Sequence, residues 1–175
     1  RAKDELPQSA GGRTIMTTEP KFVPNEAIEI TLDDNLKFKT RLVDCVGYLV
    51  DNAIGYLEDD MPRMVKTPWS DEEIPFETAA EIGTKKVIEE HSTIGILVTT
   101  DGTVTDIPRE DYIKAEERVV SELKALNKPF IILLNSETPS SDYTQELAQK
   151  LTDKYNTSVM PINCANLSIN DINTM

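Results

Sequence analysis

The chain has 175 residues, 31 of them acidic and 18 basic, so its formal net charge is −13 with the single histidine neutral. That length suits one domain with a hydrophobic core, and 39% hydrophobic residues is ordinary for a folded chain. The acidity and the lack of a basic cluster argue against nucleic-acid binding, because phosphate backbones are bound by clustered Lys and Arg. No apolar run approaches the ~20 residues that a membrane-spanning helix requires, and no secretory signal is expected.

The two cysteines, Cys45 and Cys164, stand far apart, and neither belongs to a Cys-x-x-Cys pair. Together with one histidine they are too few for a disulfide framework or a zinc site. The sequence therefore predicts a reducing, cytoplasmic compartment.

The first half of the chain is predicted to contain one β-hairpin. Residues 1–25 are expected to form a loop, because proline and glycine recur there. Residues 28–32 and 36–42 alternate between apolar and polar side chains on either side of a turn cluster at 33–35, which is typical of an antiparallel hairpin. Residues 48–75 are expected to be irregular, since glycine and proline interrupt them as well.

The second half alternates helices with strands. The predicted order is helix 76–87, strand 94–100, helix 108–126, strand 130–134, helix 142–155 and strand 159–164, with Ser168 or Asn170 capping a further helix. Strand 94–100 is almost continuously apolar, which is typical of a parallel strand covered on both faces. The predicted inward stripe of helix 142–155 consists of Tyr143, Leu147, Leu151 and Tyr155. The whole pattern predicts an α/β fold with three layers around a mostly parallel sheet and an antiparallel hairpin at one edge.

In such a sheet, ligands bind outside the carboxyl ends of the strands, so the candidate loops follow Val43, Val98, Leu134 and Ile162. Asp44-Cys45-Val46-Gly47 stands in the first of them. An aspartate there can hold Mg²⁺, directly or through water, while the glycine N–H reaches a γ-phosphate. Thr17 and Thr18 lie in a loop before the hairpin, where a hydroxyl could complete the coordination of that Mg²⁺. Taken alone, each pattern is also compatible with an ordinary turn or polar loop.

The order of these pieces is the order of elements in small P-loop GTPases after their first helix. Asn135-Ser136-Glu137-Thr138 occupies the place of the guanine-reading motif Asn-Lys-x-Asp. A Thr138 hydroxyl cannot accept the two parallel hydrogen bonds from guanine that a carboxylate accepts. Guanine discrimination should therefore be lost, since each unpaired donor costs ~1–3 kcal/mol. Cys164-Ala165-Asn166 stands where such folds place a loop against the base.

Several stretches together resemble the stage IV sporulation protein A family of spore-coat morphogenetic ATPases. They are residues 4–9, 14–24, 41–47, 90–95 and 99–103, and the likeness runs essentially end to end. The resemblance implies an ATPase built on a translation-factor-type GTPase fold. It also implies that ATP hydrolysis drives polymerisation into the basal layer of the spore coat.

Site roles follow from the same resemblance. Thr17 and Thr18 match the family's sensor threonines, and Asp44 and Gly47 match its Walker B motif. Thr18 and Asp44 are the expected Mg²⁺ ligands. The expected contacts to the adenine base of ATP come from the two loops nearest the end of the chain, through Asn135, Ser136, Cys164 and Ala165.

The sequence departs from the family pattern in one respect, because it lacks the phosphate-binding loop Gly-x-x-x-x-Gly-Lys-Ser/Thr. Residues 1–175 are therefore expected to be a partial P-loop ATPase domain without its first strand. ATP binding by this chain alone should be very weak, because the loop's N–H groups and Lys cradle the phosphates. Two strand edges should also lie unpaired.

The resemblance implies three partners: further copies of the protein, a small amphipathic peptide at the forespore outer membrane, and another coat morphogenetic protein. It implies a location in the mother-cell cytoplasm at the forespore surface. Two alternatives stay open, a catalytically inert self-association module and a GTPase. A role for Asp101 is not assigned beyond an Asx turn, and His91, Trp69 and both cysteines are expected to be structural.

Overall fold

The computed structural model describes residues 21–33, 36–53, 56–58, 60–67 and 70–175. They divide into two compact units. The first takes the described residues within 1–49 and 54–92, and the second takes residues 50–53 and 93–175.

The first unit begins with the predicted antiparallel hairpin. Strands β1 (Lys21–Asp33) and β2 (Leu36–Asp44) pair with Ile30 opposite Phe38 and Lys21 opposite Asp44. The expectation of a loop through residue 25 is wrong from Lys21 onward. The register shifts between Val23 and Ile28, and the proline between them is tolerated because the ladder is interrupted there.

The expectation that residues 48–75 are irregular holds for the described residues before Leu57 and is wrong from Leu57 onward. Four short strands form two small antiparallel sheets: β3 (Leu57–Glu58) with β4 (Met61–Pro62), and β5 (Met64–Thr67) with β6 (Ser70–Pro75). Pro62 and Pro75 each end their strand. A strand in a two-stranded sheet has one free side, so a missing N–H donor is tolerated.

Helix α1 (Phe76–Lys86) follows and continues into a π turn, Val87–His91. The predicted apolar stripe is confirmed, since Phe76, Ala79, Ala80 and Gly83 of the helix and Val87 of the π turn are all buried. Acidic Glu77 in the first turn and basic residues in the last turn complement the helix dipole.

The second unit contains a three-stranded parallel sheet in the order β7-β8-β9. Its strands are β7 (Gly95–Thr100), β8 (Phe130–Asn135) and β9 (Val159–Ile162). Two long helices pack against it, α2 (Ile113–Ala125), which follows a 3₁₀ turn at Arg109–Tyr112, and α3 (Asp142–Tyr155). The core consists of Val120, Ile132, Leu134, Ala148, Leu151 and Tyr155. The predicted α/β class, with a parallel sheet and an antiparallel hairpin, is confirmed, although the hairpin forms a separate sheet.

Two packing predictions in this unit are wrong. Strand β7 is not covered on both faces, because Ile96 and Val98 are 46% and 55% exposed. In the predicted stripe of α3, Tyr143 is 57% exposed, whereas Leu151 and Tyr155 are buried. A spacing of four residues drifts around an α-helix by about 40° per step, so a residue at the start of the run leaves the buried face.

The end of the chain follows β9 through a 3₁₀ turn, Cys164–Asn166, so the strand ends earlier than predicted. Helix α4 (Ile169–Thr174) is capped by Ser168, which forms a reciprocal capping box with Asp171. Of the two predicted caps, Ser168 is therefore the one used. Among the described helices, none is long and apolar enough to span a membrane.

Candidate functional site

Candidate site residues occur in both units. In the first unit they belong to the loop after β2, and in the second to the loops after β7, β8 and β9. Thr17 and Thr18 lie outside the described residues, and so does Trp69.

Asp44 is the last residue of β2, and its side chain is exposed. Gly47 follows with a φ of +82°, and a Cβ there would meet nothing within 4 Å. The glycine is thus required by the backbone turn rather than by lack of space.

An exposed carboxylate suits Mg²⁺, which is usually held by one or two carboxylates together with waters and phosphate oxygens. Asp44 therefore fits the part of one Mg²⁺ ligand. Within residues 21–175, apart from the gaps given above, no three His, Cys, Asp or Glu side chains cluster around a possible metal position.

Neither cysteine is an activated nucleophile. Burial raises the pKa of the Cys45 thiol and outweighs the hydrogen bond with the Gly47 backbone that lowers it. Burial likewise raises the pKa of Cys164. Both thiols are therefore protonated at neutral pH, as their predicted structural role requires. His91 ends the π turn, with its ring edge-to-face against Phe22 at 6.1 Å between centroids.

The loops of the second unit leave the sheet at one edge, because Thr100, Asn135 and Ile162 occupy matching register positions in the three strands. The Asn135 side chain links two of these loops, since its Oδ1 accepts a hydrogen bond from the Cys164 amide at 2.9 Å. The Ser136 amide donates to the Ile162 carbonyl, also at 2.9 Å.

The loop after β9 is shaped by its own first residue. The Asn163 side chain accepts hydrogen bonds from the Ala165 amide at 3.1 Å and the Asn166 amide at 3.2 Å. This holds the 3₁₀ turn that carries Cys164 and Ala165. The structure thus brings together the four residues predicted to contact a base: Asn135, Ser136, Cys164 and Ala165.

Ser136 differs from the other three because its side chain is 0% exposed. Its Oγ accepts a hydrogen bond from the Thr138 amide at 3.0 Å, closing a tight turn within the loop. The position that carries a stacking lysine in GTPases therefore carries an internal support here. The side chains of Glu137 and Thr138, by contrast, are exposed.

Asp101, to which the sequence assigned only an Asx turn, is buried at 3% exposure directly after β7. The turn is present, since Oδ1 accepts from the Thr103 amide at 3.0 Å and from its hydroxyl at 2.6 Å. In addition, Oδ2 accepts from the Thr144 hydroxyl of α3 at 2.8 Å. Asp101 therefore ties the end of β7 to the start of α3.

The charge of Asp101 is stabilised by these donors. Burial by itself raises the pKa of the Asp101 carboxyl, but the surrounding hydrogen bonds outweigh burial and hold that pKa below its ordinary value. The donors are the side chains of Ser136, Thr103 and Thr144 and the Thr103 amide. Asp101 is thus ionised at neutral pH despite its burial.

A second buried carboxylate, Glu116, was not identified from the sequence. Its Oε2 lies 2.7 Å from Nη2 of Arg109 and accepts a hydrogen bond from the Thr99 hydroxyl at 2.7 Å, while its Oε1 accepts one from the Tyr155 hydroxyl at 2.7 Å. The pKa of Tyr155 is raised, chiefly by burial and next by its hydrogen bond with Glu116. A sequence signal existed, because Glu116 stands four residues from both Tyr112 and Val120, inside the apolar stripe of α2.

Residues 1–175 match the family described as "Stage IV sporulation protein A, ATPase domain". The chain is similar to stage IV sporulation protein A of Bacillus anthracis (57% identical), Bacillus subtilis strain 168 (55%) and Clostridioides difficile strain 630 (53%). Each likeness covers 98% of this chain but only 35% of the relative. The chain thus spans about a third of the length of these relatives. No solved structure matches it.

Proposed function

Because the chain belongs to the stage IV sporulation protein A family, matching its ATPase domain, we propose that it is part of an ATP-hydrolysing morphogenetic protein. In this proposal, residues 1–175 form part of a P-loop NTPase domain of the translation-factor GTPase type. The domain binds ATP with Mg²⁺, and hydrolysis drives polymerisation into the basal layer of the spore coat.

The observation that carries the proposal is the hydrogen bond from the Cys164 amide to Asn135. It joins two loops at the carboxyl edge of a parallel sheet, which is where α/β proteins bind their ligands. This junction supports a base-contacting role for Asn135, Cys164 and Ala165. The predicted contact from Ser136 is wrong, because Ser136 is 0% exposed and supports the loop from inside. Preference for adenine draws its support from Thr138, whose exposed hydroxyl replaces the carboxylate that guanine requires.

Asp44 is the residue of the described chain that would hold Mg²⁺. Mg²⁺, when bound, neutralises charge on the phosphates of the nucleotide. The exposed Asp44 carboxylate supplies a hard oxygen ligand for it, while the positive φ of Gly47 turns the backbone after the strand. Thr17 and Thr18 complete the proposed set by family resemblance.

The proposed partners and location rest on resemblance as well. They are further copies of the same protein, a small amphipathic peptide at the forespore outer membrane and another coat morphogenetic protein. The proposed location is the mother-cell cytoplasm at the forespore surface.

The proposal is tested by measuring phosphate release from ATP and GTP by the complete polypeptide that contains this chain. We expect ATP to be hydrolysed far faster than GTP, and Asp44→Ala to abolish the Mg²⁺-dependent rate. Asp71→Ala is the matched control, because Asp71 is another exposed strand aspartate and should leave the rate unchanged. Equal rates with ATP and GTP would favour the GTPase alternative, and an unchanged Asp44→Ala rate would contradict the assigned Mg²⁺ ligand.

The second candidate, an inert self-association module, is favoured by one observation. The β1–β2 hairpin exposes apolar side chains, among them Ile28, Phe38 and Leu42. Such a surface is typical of contacts with another molecule. Calorimetric titration of the complete polypeptide with ATP separates the two candidates. If the protein is an inert module, the titration shows no heat of ATP binding, although the protein still assembles.

A further inference from the structure

The loop of residues 135–138 is held from outside by a neighbouring loop of the second unit. The Glu137 amide donates a hydrogen bond to the Thr103 hydroxyl oxygen at 2.9 Å. The same hydroxyl donates its proton to Asp101 Oδ1 at 2.6 Å. Thr103 therefore connects a buried carboxylate with the backbone of the candidate base-binding loop.

The direction of these hydrogen bonds is fixed by the charge at one end. A carboxylate only accepts, so the proton of Thr103 must point toward Asp101, which leaves the oxygen lone pairs free for the Glu137 amide. Hydrogen bonds in such a chain polarise one another, and an ionised end strengthens them.

A second set of hydrogen bonds holds Thr138, the next residue of the same loop. Thr144 donates to Asp101 Oδ2 at 2.8 Å, so the Ser141 hydroxyl, 2.8 Å from the Thr144 oxygen, must donate to Thr144. The Ser141 amide in turn donates to the Thr138 carbonyl at 3.0 Å. Two consecutive residues of the loop, Glu137 and Thr138, are thus held by residues whose hydroxyls are connected to the Asp101 carboxylate.

On the basis of the proposed function, we propose that Thr103 is a positioning residue for the base of the nucleotide. Asp101 orients the Thr103 hydroxyl, and that hydroxyl holds the Glu137 amide. Thr103 thereby fixes the conformation in which residues 135–138 bind adenine. Thr103 does not contact the nucleotide in this proposal but acts through the loop backbone, since its hydroxyl donates to Asp101 and accepts from the Glu137 amide.

The test compares Thr103→Val with Thr103→Ser in the complete polypeptide. Valine keeps the shape of threonine but removes the hydroxyl, whereas serine keeps the hydroxyl, and the exposed position allows both variants to fold. We expect Thr103→Val to raise KM for ATP about three- to tenfold with kcat unchanged, which is the size expected for losing the hydrogen bond that holds the Glu137 amide. Thr103→Ser should restore the wild-type KM.

Two further measurements separate positioning from general destabilisation. Inorganic tripolyphosphate has no base, so its affinity should be the same in wild type and Thr103→Val. Amide hydrogen exchange at Glu137 should be faster in Thr103→Val and should return to the wild-type rate in Thr103→Ser.

The inference is overturned if Thr103→Val leaves KM for ATP unchanged, or if it weakens ATP and tripolyphosphate equally. This result can be told apart from a failure of the proposed function. If the wild-type protein hydrolyses ATP and Thr103→Val has the same KM, only the positioning role is refuted. A wild-type protein that does not bind ATP refutes both.

Discussion

The aspartates at the ends of β2 and β7 are each followed by a glycine within three residues, yet the two carboxylates differ in burial. Asp44 ends one strand and Asp101 directly follows the other, and each precedes a glycine with positive φ, +82° at Gly47 and +93° at Gly102. Yet Asp44 is exposed, while Asp101 is 3% exposed and accepts three hydrogen bonds from Thr103 and Thr144.

The difference shows that burial and hydrogen bonding decide whether a strand-end carboxylate supports the fold or is available to a ligand. The oxygens of Asp101 are occupied by the protein's own donors, so this residue organises the loops around it. The oxygens of Asp44 face solvent and can serve a cation. The glycines differ in the same sense, because a Cβ on Gly102 would meet the Arg109 amide at 3.1 Å, whereas a Cβ on Gly47 would meet nothing.

The largest expected effect extends this comparison to two neighbouring residues of α2. Glu116 is buried with Arg109, whereas Glu117 forms an exposed pair with Lys154 at 2.6 Å. Glu116→Ala should lower the free energy of unfolding by about 3–5 kcal/mol, because it leaves a buried charge without its partner. Glu117→Ala should lower it by at most about 1 kcal/mol. Urea unfolding of the two variants measures the difference, and equal losses would contradict the distinction.

A smaller effect is expected at the two strand-end aspartates themselves. Asp101→Ala should destabilise the fold by about 2–4 kcal/mol, because the donors of Thr103 and Thr144 lose their acceptor. Asp44→Ala should change the free energy of unfolding by no more than about 0.5 kcal/mol, as is usual for an exposed position. The same urea experiment provides the measurement. A large loss at Asp44 would mean that its carboxylate supports the fold.

The smallest effect concerns pH. Because the pKa of Asp101 is lower in the folded chain than the ~3.9 of an unfolded aspartate, its stabilisation is complete above that value. It is lost as pH falls through the folded-state pKa, at no more than about 1.4 kcal/mol per pH unit. Asp101→Asn should flatten this part of the acid unfolding curve while leaving the shape between pH 6 and 8 unchanged. If the free energy of unfolding of Asp101→Asn changes with acidic pH as steeply as that of the wild type, Asp101 does not contribute to this pH dependence.

Much of the second unit was predictable because its signals are local. The start of α3 at Asp142 follows from its Ser141 cap, and strand β8 from its apolar run. The small hairpins of residues 57–75 were missed because each depends on only a few paired residues and contains prolines that favour a loop prediction. Tyr143 was misplaced because a four-residue spacing only approximates the helical repeat.

The candidate site divides in the same way. Asn135, Ser136, Cys164 and Ala165 were predicted from their motif positions, and the structure brings them together, with Ser136 buried beneath the loop. Thr103 and Thr144 were missed, since a threonine in a polar sequence gives no sign of which backbone it will meet.

The sequence by itself determined the α/β class, the order of the main elements and membership of the stage IV sporulation protein A family. Capping, periodicity and motifs are written within a few consecutive residues, so no knowledge of the fold is needed to recognise them. Only the tertiary structure decided which carboxylates are buried and which loops they hold. Thr103 meets Glu137 across 34 residues and Glu116 meets Tyr155 across 39, and such contacts exist only once the sheet and its helices have packed.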